Sequence, residues 1–270
     1  MVEEPRNRPI LALTGISKRF GALQALSGVD FEVFSGEVVG LVGDNGAGKS
    51  TLVKIISGTY RPDAGRYVFE GREVTVATPR EAAELGIQTV YQDLALCDNL
   101  DVVANLYLGR ELRQRPLAAL LRRIDEIAME KKASDFIREL HVHIPSLRAR
   151  IAALSGGQRQ SVAVARAVMW NSKVVLLDEP TAALGVEQTQ QVKALIRRLR
   201  DTGLGVVVIS HNLQDIFDVT DRIIVLRLGR RVATFDTRAA NHEQVVGSIT
   251  GAAFGGAENA TETRGRGSHG

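Results

Sequence analysis

The sequence has a single cysteine and no long apolar run. Since Cys97 is alone, no disulfide can form within the chain, and a half-buried filler is the simplest interpretation of this side chain. The lack of disulfides fits a reducing cytoplasm. No stretch approaches the ~18 apolar residues of a membrane-spanning helix, and the charged residues 1–9 do not resemble a signal peptide. A role at a membrane would therefore require docking on an integral partner.

Aromatic residues and excess charge are also scarce. Only 5% of residues are aromatic and the net charge is +3, so we find no basic stripe interleaved with aromatics. Such stripes are typical of nucleic-acid-binding proteins, and we therefore expect no nucleic-acid partner. The 270 residues suffice for one large domain, or for one domain with a smaller lobe.

The apolar patterns predict an α/β fold. Residues 10–35 alternate between apolar and polar, which predicts antiparallel strands, and residues 66–76 predict a further hairpin. Buried strands are predicted at 38–42, 174–177, 206–209 and 223–226, a further strand ending at 90–91, and helices at about 158–170 and 187–201. Strands that alternate with helices indicate a mainly parallel sheet covered on both faces.

Residues 100–150 have helical spacing instead. The apolar positions are Leu117, Leu120, Leu121, Ile124 and Ile127, with Arg122 and Arg123 on the opposite, solvated face, and residues 133–140 continue the helical pattern. We expect a helical lobe at about 100–170, inserted into a domain that spans residues 10–254. Residues 1–9 are expected to be an extension, and residues 255–270 a disordered tail.

A glycine-rich segment at 43–51 fits the phosphate-loop pattern G-x-x-x-x-G-K-[ST]. It uses Gly43, Gly48, Lys49 and Ser50, between a buried strand and a helix, which is the context that the pattern requires. Backbone N–H groups can cradle phosphates there, Lys49 can reach the β- and γ-phosphates, and Ser50 can ligate Mg²⁺. The segment therefore predicts a nucleoside triphosphate site.

Two adjacent acids, Asp178 and Glu179, end the apolar run at 174–177. The carboxyl ends of parallel strands meet where open α/β sheets bind ligands, so these acids should point at the phosphate loop. Asp178 would hold Mg²⁺ and Glu179 would polarise the attacking water. A strand end that merely meets solvent is the alternative for each acid taken alone.

A third motif, Leu154-Ser155-Gly156-Gly157-Gln158, opens a predicted helix and forms another anion site. A second phosphate site makes sense where one subunit meets a nucleotide held by another. Together with the segments at 43–51 and 174–179, Gln92 and His211, this motif gives the chain a resemblance to the ABC ATPase family, from about residue 10 to 250.

The resemblance implies the ABC ATPase fold, a P-loop NTPase-like, mainly parallel core with an antiparallel β subdomain and an inserted helical subdomain. The implied ATP-binding residues are Phe20, Gly43, Asn45, Gly46, Gly48, Lys49, Ser50 and Thr51, and from a second subunit Ser155, Gly156, Gly157 and Gln158. The implied catalytic residues are Lys49, Gln92, Glu179 and His211, and the implied Mg²⁺ ligands are Ser50, Gln92 and Asp178. Phe20 would stack on adenine; a core phenylalanine is its alternative.

One position departs from the family pattern. The stretch after Glu179 usually reaches an interface Asp, and this chain has Gly185 there. Our hypothesis is weaker communication between two nucleotide sites without loss of hydrolysis, because Glu179 is retained.

Stretches 90–96, 105–111 and 180–185 are similar to those of monosaccharide importer ATPases, in particular the single-module members. The resemblance implies a peripheral subunit on the cytoplasmic face of the inner membrane. Its partners would be permease subunits, a second copy in a head-to-tail ATP sandwich, and a periplasmic or extracellular sugar-binding protein. An exporter or amino-acid importer ATPase, and a soluble ABC ATPase acting on nucleic acid or an assembly machine, are the alternatives.

Overall fold

The computed structural model describes residues 8–113 and 124–252. Its strands are β1 (Leu11–Phe20), β2 (Leu23–Val33), β3 (Val38–Val42), β4 (Ala64–Phe69), β5 (Arg72–Glu73), β6 (Ile87–Val90), β7 (Val174–Asp178), β8 (Gly205–Ile209), β9 (Arg222–Arg227) and β10 (Arg230–Asp236). Its helices are α1 (Lys49–Ile56), α2 (Pro79–Leu85), α3 (Val102–Tyr107), α4 (Glu126–Glu139), α5 (Gly156–Val168), α6 (Val186–Asp201), α7 (Leu213–Val219) and α8 (His242–Thr250), with a 3₁₀ turn at Ile151–Ala153.

The larger sheet has six strands in the order β10-β9-β3-β8-β7-β6. Strands β9, β3, β8, β7 and β6 are parallel to one another, and only β10 pairs antiparallel, as a hairpin with β9. The expected mainly parallel sheet is therefore confirmed. The carboxyl ends of β3, β7 and β8 lie side by side, which places the segments that follow them at one edge of the sheet.

The smaller sheet is antiparallel, in the order β2-β1-β4-β5. It confirms the hairpins expected from the alternating pattern of residues 10–35 and 66–76. Bulges interrupt the β1–β2 ladder between Leu13 and Arg19, which increases the local twist.

Alternate residues of the central strands enter two cores. Val38 and Val42 belong to the core shared with helices α3 to α8, whereas Val39 and Leu41 belong to the core shared with α1 and the antiparallel sheet. All five residues of β3 are buried, because both faces of the parallel sheet are covered.

The helical region contains α3, α4 and α5, and the expected helix at 133–140 is part of α4. The proposed apolar face through Ile124 and Ile127 is wrong at both positions, since they are 48% and 84% exposed. Helix α4 begins only at Glu126, with Asp125 as its N-cap, and it buries Met129, Ala133 and Ile137. Several sequence predictions concern residues outside the described ranges. They are Leu117, Leu120, Leu121, Arg122 and Arg123, most of the extension 1–9, and the tail 255–270.

Among the described residues, we find no helix that combines the length and the apolar character required to span a bilayer.

Candidate functional site

The segment between β3 and α1 is a glycine-dependent loop. Gly43, Gly46 and Gly48 have φ of 150°, 80° and 104°, values that residues with a Cβ rarely adopt. A Cβ on Gly43 would lie 2.2 Å from the carbonyl oxygen of Leu226. The loop can therefore follow this path only with glycine at these positions.

Helix α1 begins without a cap from its own side chains. Gly48 precedes it, no side chain accepts from its first N–H groups, and its first turn holds no acid. The Lys49 ammonium donates to the carbonyl oxygens of Gly43 and Asp44, the latter at 3.0 Å, so it lies over the loop. Burial lowers the pKa of Lys49, and the charges of Glu179, Asp44 and Asp178 partly offset this effect. This combination of open N–H groups and a cation suits an anion.

The predicted acids follow β7 as expected. Asp178 ends the strand, and Glu179 has φ of 51°, a left-handed conformation that costs a non-glycine residue about 1 kcal/mol. Burial, followed by the charge of Glu179, raises the pKa of Asp178. Two carboxylates that repel each other in a half-buried place indicate a site prepared for positive charge.

The Glu179 carboxylate is held by the segment that follows β8. His211 Nδ1 lies 2.9 Å from Glu179 Oε2, and the His211 backbone N–H donates to Oε1 at 3.1 Å. Ser210 Oγ donates to Oε2 at a longer 3.4 Å. The imidazole is 78% exposed, so it can reach a ligand in front of Glu179.

A cavity of about 720 Å³ joins these groups, within the roughly 300–1,000 Å³ usual for ligand sites. The predicted site residues that line it are Phe20, Asn45, Gly46, Gly48, Lys49, Ser50, Thr51, Gln92, Asp178, Glu179 and His211. Gly43 lines a neighbouring cavity instead. Phe20 is 41% exposed, which disfavours the core interpretation, and its ring packs edge-on against Tyr60 with centroids 5.2 Å apart.

The oxygen donors in this cavity fit a hard divalent cation. Ser50, Gln92 and Asp178 offer a hydroxyl, an amide and a carboxylate, the ligand types that Mg²⁺ accepts together with phosphates and water. Within residues 8–113 and 124–252, no cluster of three or more His, Cys, Asp or Glu residues could hold a metal by itself. A Mg²⁺ ion here would therefore need ligands from a bound nucleotide or from water.

The motif at 154–158 lies elsewhere. The cavity lining drawn from the described residues includes none of its members. Ser155 is the N-cap of α5: its Oγ accepts from the Gln158 N–H at 3.3 Å, and Gln158 Oε1 accepts from the Ser155 N–H at 3.0 Å. Ser155 and Gly156 are exposed. The Ser155 hydroxyl proton remains available to an external acceptor, because the capping bond uses only its oxygen.

Sequence reasoning missed several members of the site. Leu23, Gln24, Ala25 and Ile209 line the cavity, and Tyr60 supports Phe20. The pairing of Phe20 with Leu23 across the β1–β2 turn brings the start of β2 to the rim, and this pairing could have been inferred from the alternating pattern. Tyr60 gave no comparable signal, since it lies 40 residues from Phe20 in an irregular segment.

A family model described as "ABC transporter" matches residues 26–182. The chain is 45% identical to a fructose import ATP-binding protein of Rhizobium meliloti, over 90% of this chain and 95% of the relative. It is 43% identical to a xylose/arabinose import ATP-binding protein of Sulfolobus acidocaldarius, over 91% and 96%. A ribose import ATP-binding protein of Rubrobacter xylanophilus is 43% identical, and the alignment covers 88% of this chain but only 46% of the relative.

Solved structures with the same fold include a nucleotide-free ATP-binding cassette from an ABC transporter. It has a TM-score of 0.74 and 28% identity, over 90% of this chain and 96% of that chain. A bacterial ABC transporter cassette solved as a dimer has a TM-score of 0.69 and 25% identity, over 85% of this chain and all of the other. The expected fold class is confirmed.

Proposed function

This chain belongs to the ABC transporter family, and from that premise we propose that it hydrolyses ATP to power the import of a simple sugar. The 45% identity to a fructose import subunit, over 95% of that relative, carries the proposal of a sugar as the solute. The cavity that joins the phosphate loop to Glu179 carries the proposal of ATP hydrolysis.

Hydrolysis follows from the groups in the cavity. The N–H groups of the phosphate loop and the ammonium of Lys49 hold the phosphates of ATP, and Phe20 offers an exposed face to the adenine. Bound Mg²⁺, held by Ser50, Gln92 and Asp178, would neutralise charge on the phosphate oxygens. Glu179 accepts a hydrogen bond from the attacking water and orients it towards the γ-phosphate. His211, whose imidazole is 78% exposed and contacts Glu179, would lie beside that phosphate.

The exposed residues Ser155 and Gly156 of the motif at 154–158 support a second copy as partner. Ser155 and Gly156 lie outside the cavity of their own chain, so the Ser155 hydroxyl and the Gly156 N–H are suited to the ATP of another subunit. In the proposed head-to-tail dimer, each ATP lies between one phosphate loop and the other subunit's Ser155, Gly156 and Gly157.

The variant Glu179→Gln tests this dimer, because it should bind ATP without hydrolysing it. With saturating MgATP and the permease, we expect two Glu179→Gln copies to stay associated, while the wild type returns to the open state after turnover. Nucleotide that stays bound to the detergent-solubilised complex after free MgATP is removed measures this closure. A complex that never closes around two ATP molecules, as judged by trapped nucleotide, would contradict the interface.

A groove of about 180 Å³ between the segment after Gln92, α3 and α5 is suited to the permease. Arg110 and Arg166 line it beside Leu108 and Trp170. Leu108 is 49% exposed, and Arg166 donates to the carbonyl oxygens of Leu94 and Ala95 at 3.0 and 2.7 Å. Movement of this groove together with Gln92 would transmit closure of the ATP-bound dimer to the permease. The chain would then act as a peripheral subunit on the cytoplasmic face of the membrane.

Gentle solubilisation of source membranes, followed by capture of this subunit and mass spectrometry, tests the transport role. We expect a polytopic permease and a sugar-binding protein encoded with it, and labelled-sugar uptake should require ATP. Co-purification of an export permease, of an amino-acid-binding protein, or of soluble partners alone under several detergents would point to the alternatives.

The same capture tests the groove when it is repeated with Leu108→Glu and with Arg80→Glu, a surface variant outside the groove lining. Only Leu108→Glu should lose the permease.

A further inference from the structure

A buried lysine lies outside the cavity that joins the phosphate loop to Glu179. Lys193, in the middle of α6, has a side chain that is only 4% exposed, and it does not line the cavity. Its ammonium contacts the carboxylates of Asp215 and Asp218, the latter at 2.7 Å. Asp215 is itself 9% exposed at the side chain. Such charges are rarely buried unless a specific arrangement requires them.

Asp215 has a second partner. Thr181 Oγ1 donates to Asp215 Oδ2 at 2.7 Å, so the carboxylate bridges a lysine and a threonine from two different elements. Burial alone would lower the pKa of Lys193, but hydrogen bonds to Asp215 and Asp218 raise it above the ordinary value. The ammonium is therefore charged, and it compensates the carboxylate that Thr181 contacts.

The network joins the two segments that carry the catalytic groups. Thr181 follows Glu179 by two residues, and Asp215 lies in the first turn of α7, four residues after His211. Asn212 caps α7 by accepting from the Asp215 N–H at 3.4 Å, and the Asn212 N–H donates to Ser210 Oγ at 3.0 Å. With the contact between Ser210 and Glu179, these bonds close a ring that links the segment after β7 to the segment after β8.

We propose that Thr181, Asp215 and Lys193 are positioning residues, which hold the segment after β7 and the segment after β8 in one fixed relation. Glu179 keeps its left-handed backbone conformation, and its contact with His211, because both segments are tied to α6. The proposal rests on the proposed ATP hydrolysis. The network fixes the position of Glu179 and thereby the geometry of the attacking water, and it does not take part in ATP binding.

The replacement Thr181→Val isolates the bridging bond. Valine has nearly the same shape, and Asp215 keeps its lysine partner, so the fold should be retained. We expect kcat for ATP hydrolysis by the complex with permease to fall about tenfold, because small displacements of catalytic groups are costly. KM for ATP should stay within about twofold, since the phosphate loop is untouched. Thr181→Ser, which keeps the hydroxyl, should restore kcat.

A control at the C-terminal end of α6, the helix that carries Lys193, separates positioning from stability. Thr202 Oγ1 donates to the carbonyl oxygen of Leu199 at 2.7 Å, at the far end of α6. Thr202→Val removes a bond of the same length and should leave kcat unchanged. The double variant Thr181→Val/Asp215→Asn should cost less than the product of the two single effects, because both changes remove the same hydroxyl–carboxylate bond.

Unchanged kcat in Thr181→Val, equal losses in Thr181→Val and Thr181→Ser, or an equal loss in Thr202→Val would overturn the proposal. The assay follows phosphate release, so failure of sugar uptake in a complex that still hydrolyses ATP counts against the importer role alone. A wild-type complex without any hydrolysis would overturn both.

Discussion

Helices α1 and α5 both begin at glycine-rich segments, but their N-termini are built in opposite ways. At α1, Gly48 precedes the helix and no side chain caps it. At α5, Ser155 and Gln158 form a capping box with two hydrogen bonds. The first N-terminus opens into a cavity of its own chain, whereas the second is capped by its own side chains and has Ser155 and Gly156 exposed outside that cavity. The first is suited to a ligand within one subunit, and the second is suited to an interface.

The glycines also serve different purposes. Gly48 has a φ of 104° and also lies close to the Ala25 carbonyl, whereas Gly156 and Gly157 have no left-handed φ and are needed only for close approach to the start of α6 and the residues just before it. A Cβ on Gly156 would lie 2.9 Å from Leu184 Cδ2, and one on Gly157 would lie 2.9 Å from Gln188 Cβ. Glycine in a motif can thus indicate either a backbone conformation or a packing contact, and only the structure distinguishes them.

The largest effect should come from removing the cation at α1. Lys49→Met should lower kcat/KM for ATP by at least about 100-fold, because a charged donor to the reacting phosphates is lost. ATP binding to the isolated subunit, measured by fluorescence of a labelled nucleotide, should weaken as well. Lys173→Met is the matched control, since Lys173 pairs with Glu70 at 2.7 Å away from the cavity. Equal losses in both variants would contradict a specific role of Lys49.

A smaller effect is expected where α5 packs on α6. Gly157→Ala should destabilise the subunit by about 1–3 kcal/mol, since the new methyl overlaps Gln188 near its backbone. Gly156→Ala should cost less, because the new methyl meets only the flexible ends of the Leu184 and Gln188 side chains. Urea denaturation measures both free energies of unfolding. If Gly156→Ala is the more costly of the two, the packing explanation is wrong.

Removing the cap of α5 should cost about 1 kcal/mol of unfolding free energy, as is usual for Ser→Ala at an N-cap. Ser155→Thr should retain most of that stability. Neither variant should change the affinity of the isolated subunit for ATP, because Ser155 lies outside the cavity. Weaker ATP binding by isolated Ser155→Ala would mean that this N-terminus serves its own chain.

The grouping of these residues in one cavity could be predicted because each part of the candidate site is local in sequence. The loop at 43–51 and the acids Asp178 and Glu179 each adjoin a buried strand, and parallel strands bring their carboxyl ends together. The Thr181–Asp215–Lys193 network could not, since its members lie on three elements and each one alone is an ordinary polar residue. The prediction of an apolar face through Ile124 and Ile127 is wrong because Asp125 caps a helix that begins between these two positions. A helical spacing counted from a residue that precedes the helix does not describe a face of that helix.

The smallest expected effect concerns a third helix N-terminus, that of α6. Gly185 is its N-cap, with an extended backbone, no capping side chain and open space around a Cβ. Gly185→Asp should therefore fit, and should stabilise the subunit by a few tenths of a kcal/mol by accepting from the first N–H groups. Differential scanning calorimetry should show a rise in Tm of about 1 °C. Gly185→Ala, which offers no acceptor, is the control for the loss of glycine flexibility.

The same variant tests whether the missing carboxylate weakens communication between two nucleotide sites. In the complex with permease, Gly185→Asp should raise the Hill coefficient for ATP above that of the wild type, and Gly185→Ala should not. Equal Hill coefficients in wild type and Gly185→Asp, together with the expected rise in Tm, would mean that the carboxylate at this position only caps α6. Communication would then depend on other contacts, and the α6 N-terminus would resemble the self-capped start of α5 more than the ligand site at α1.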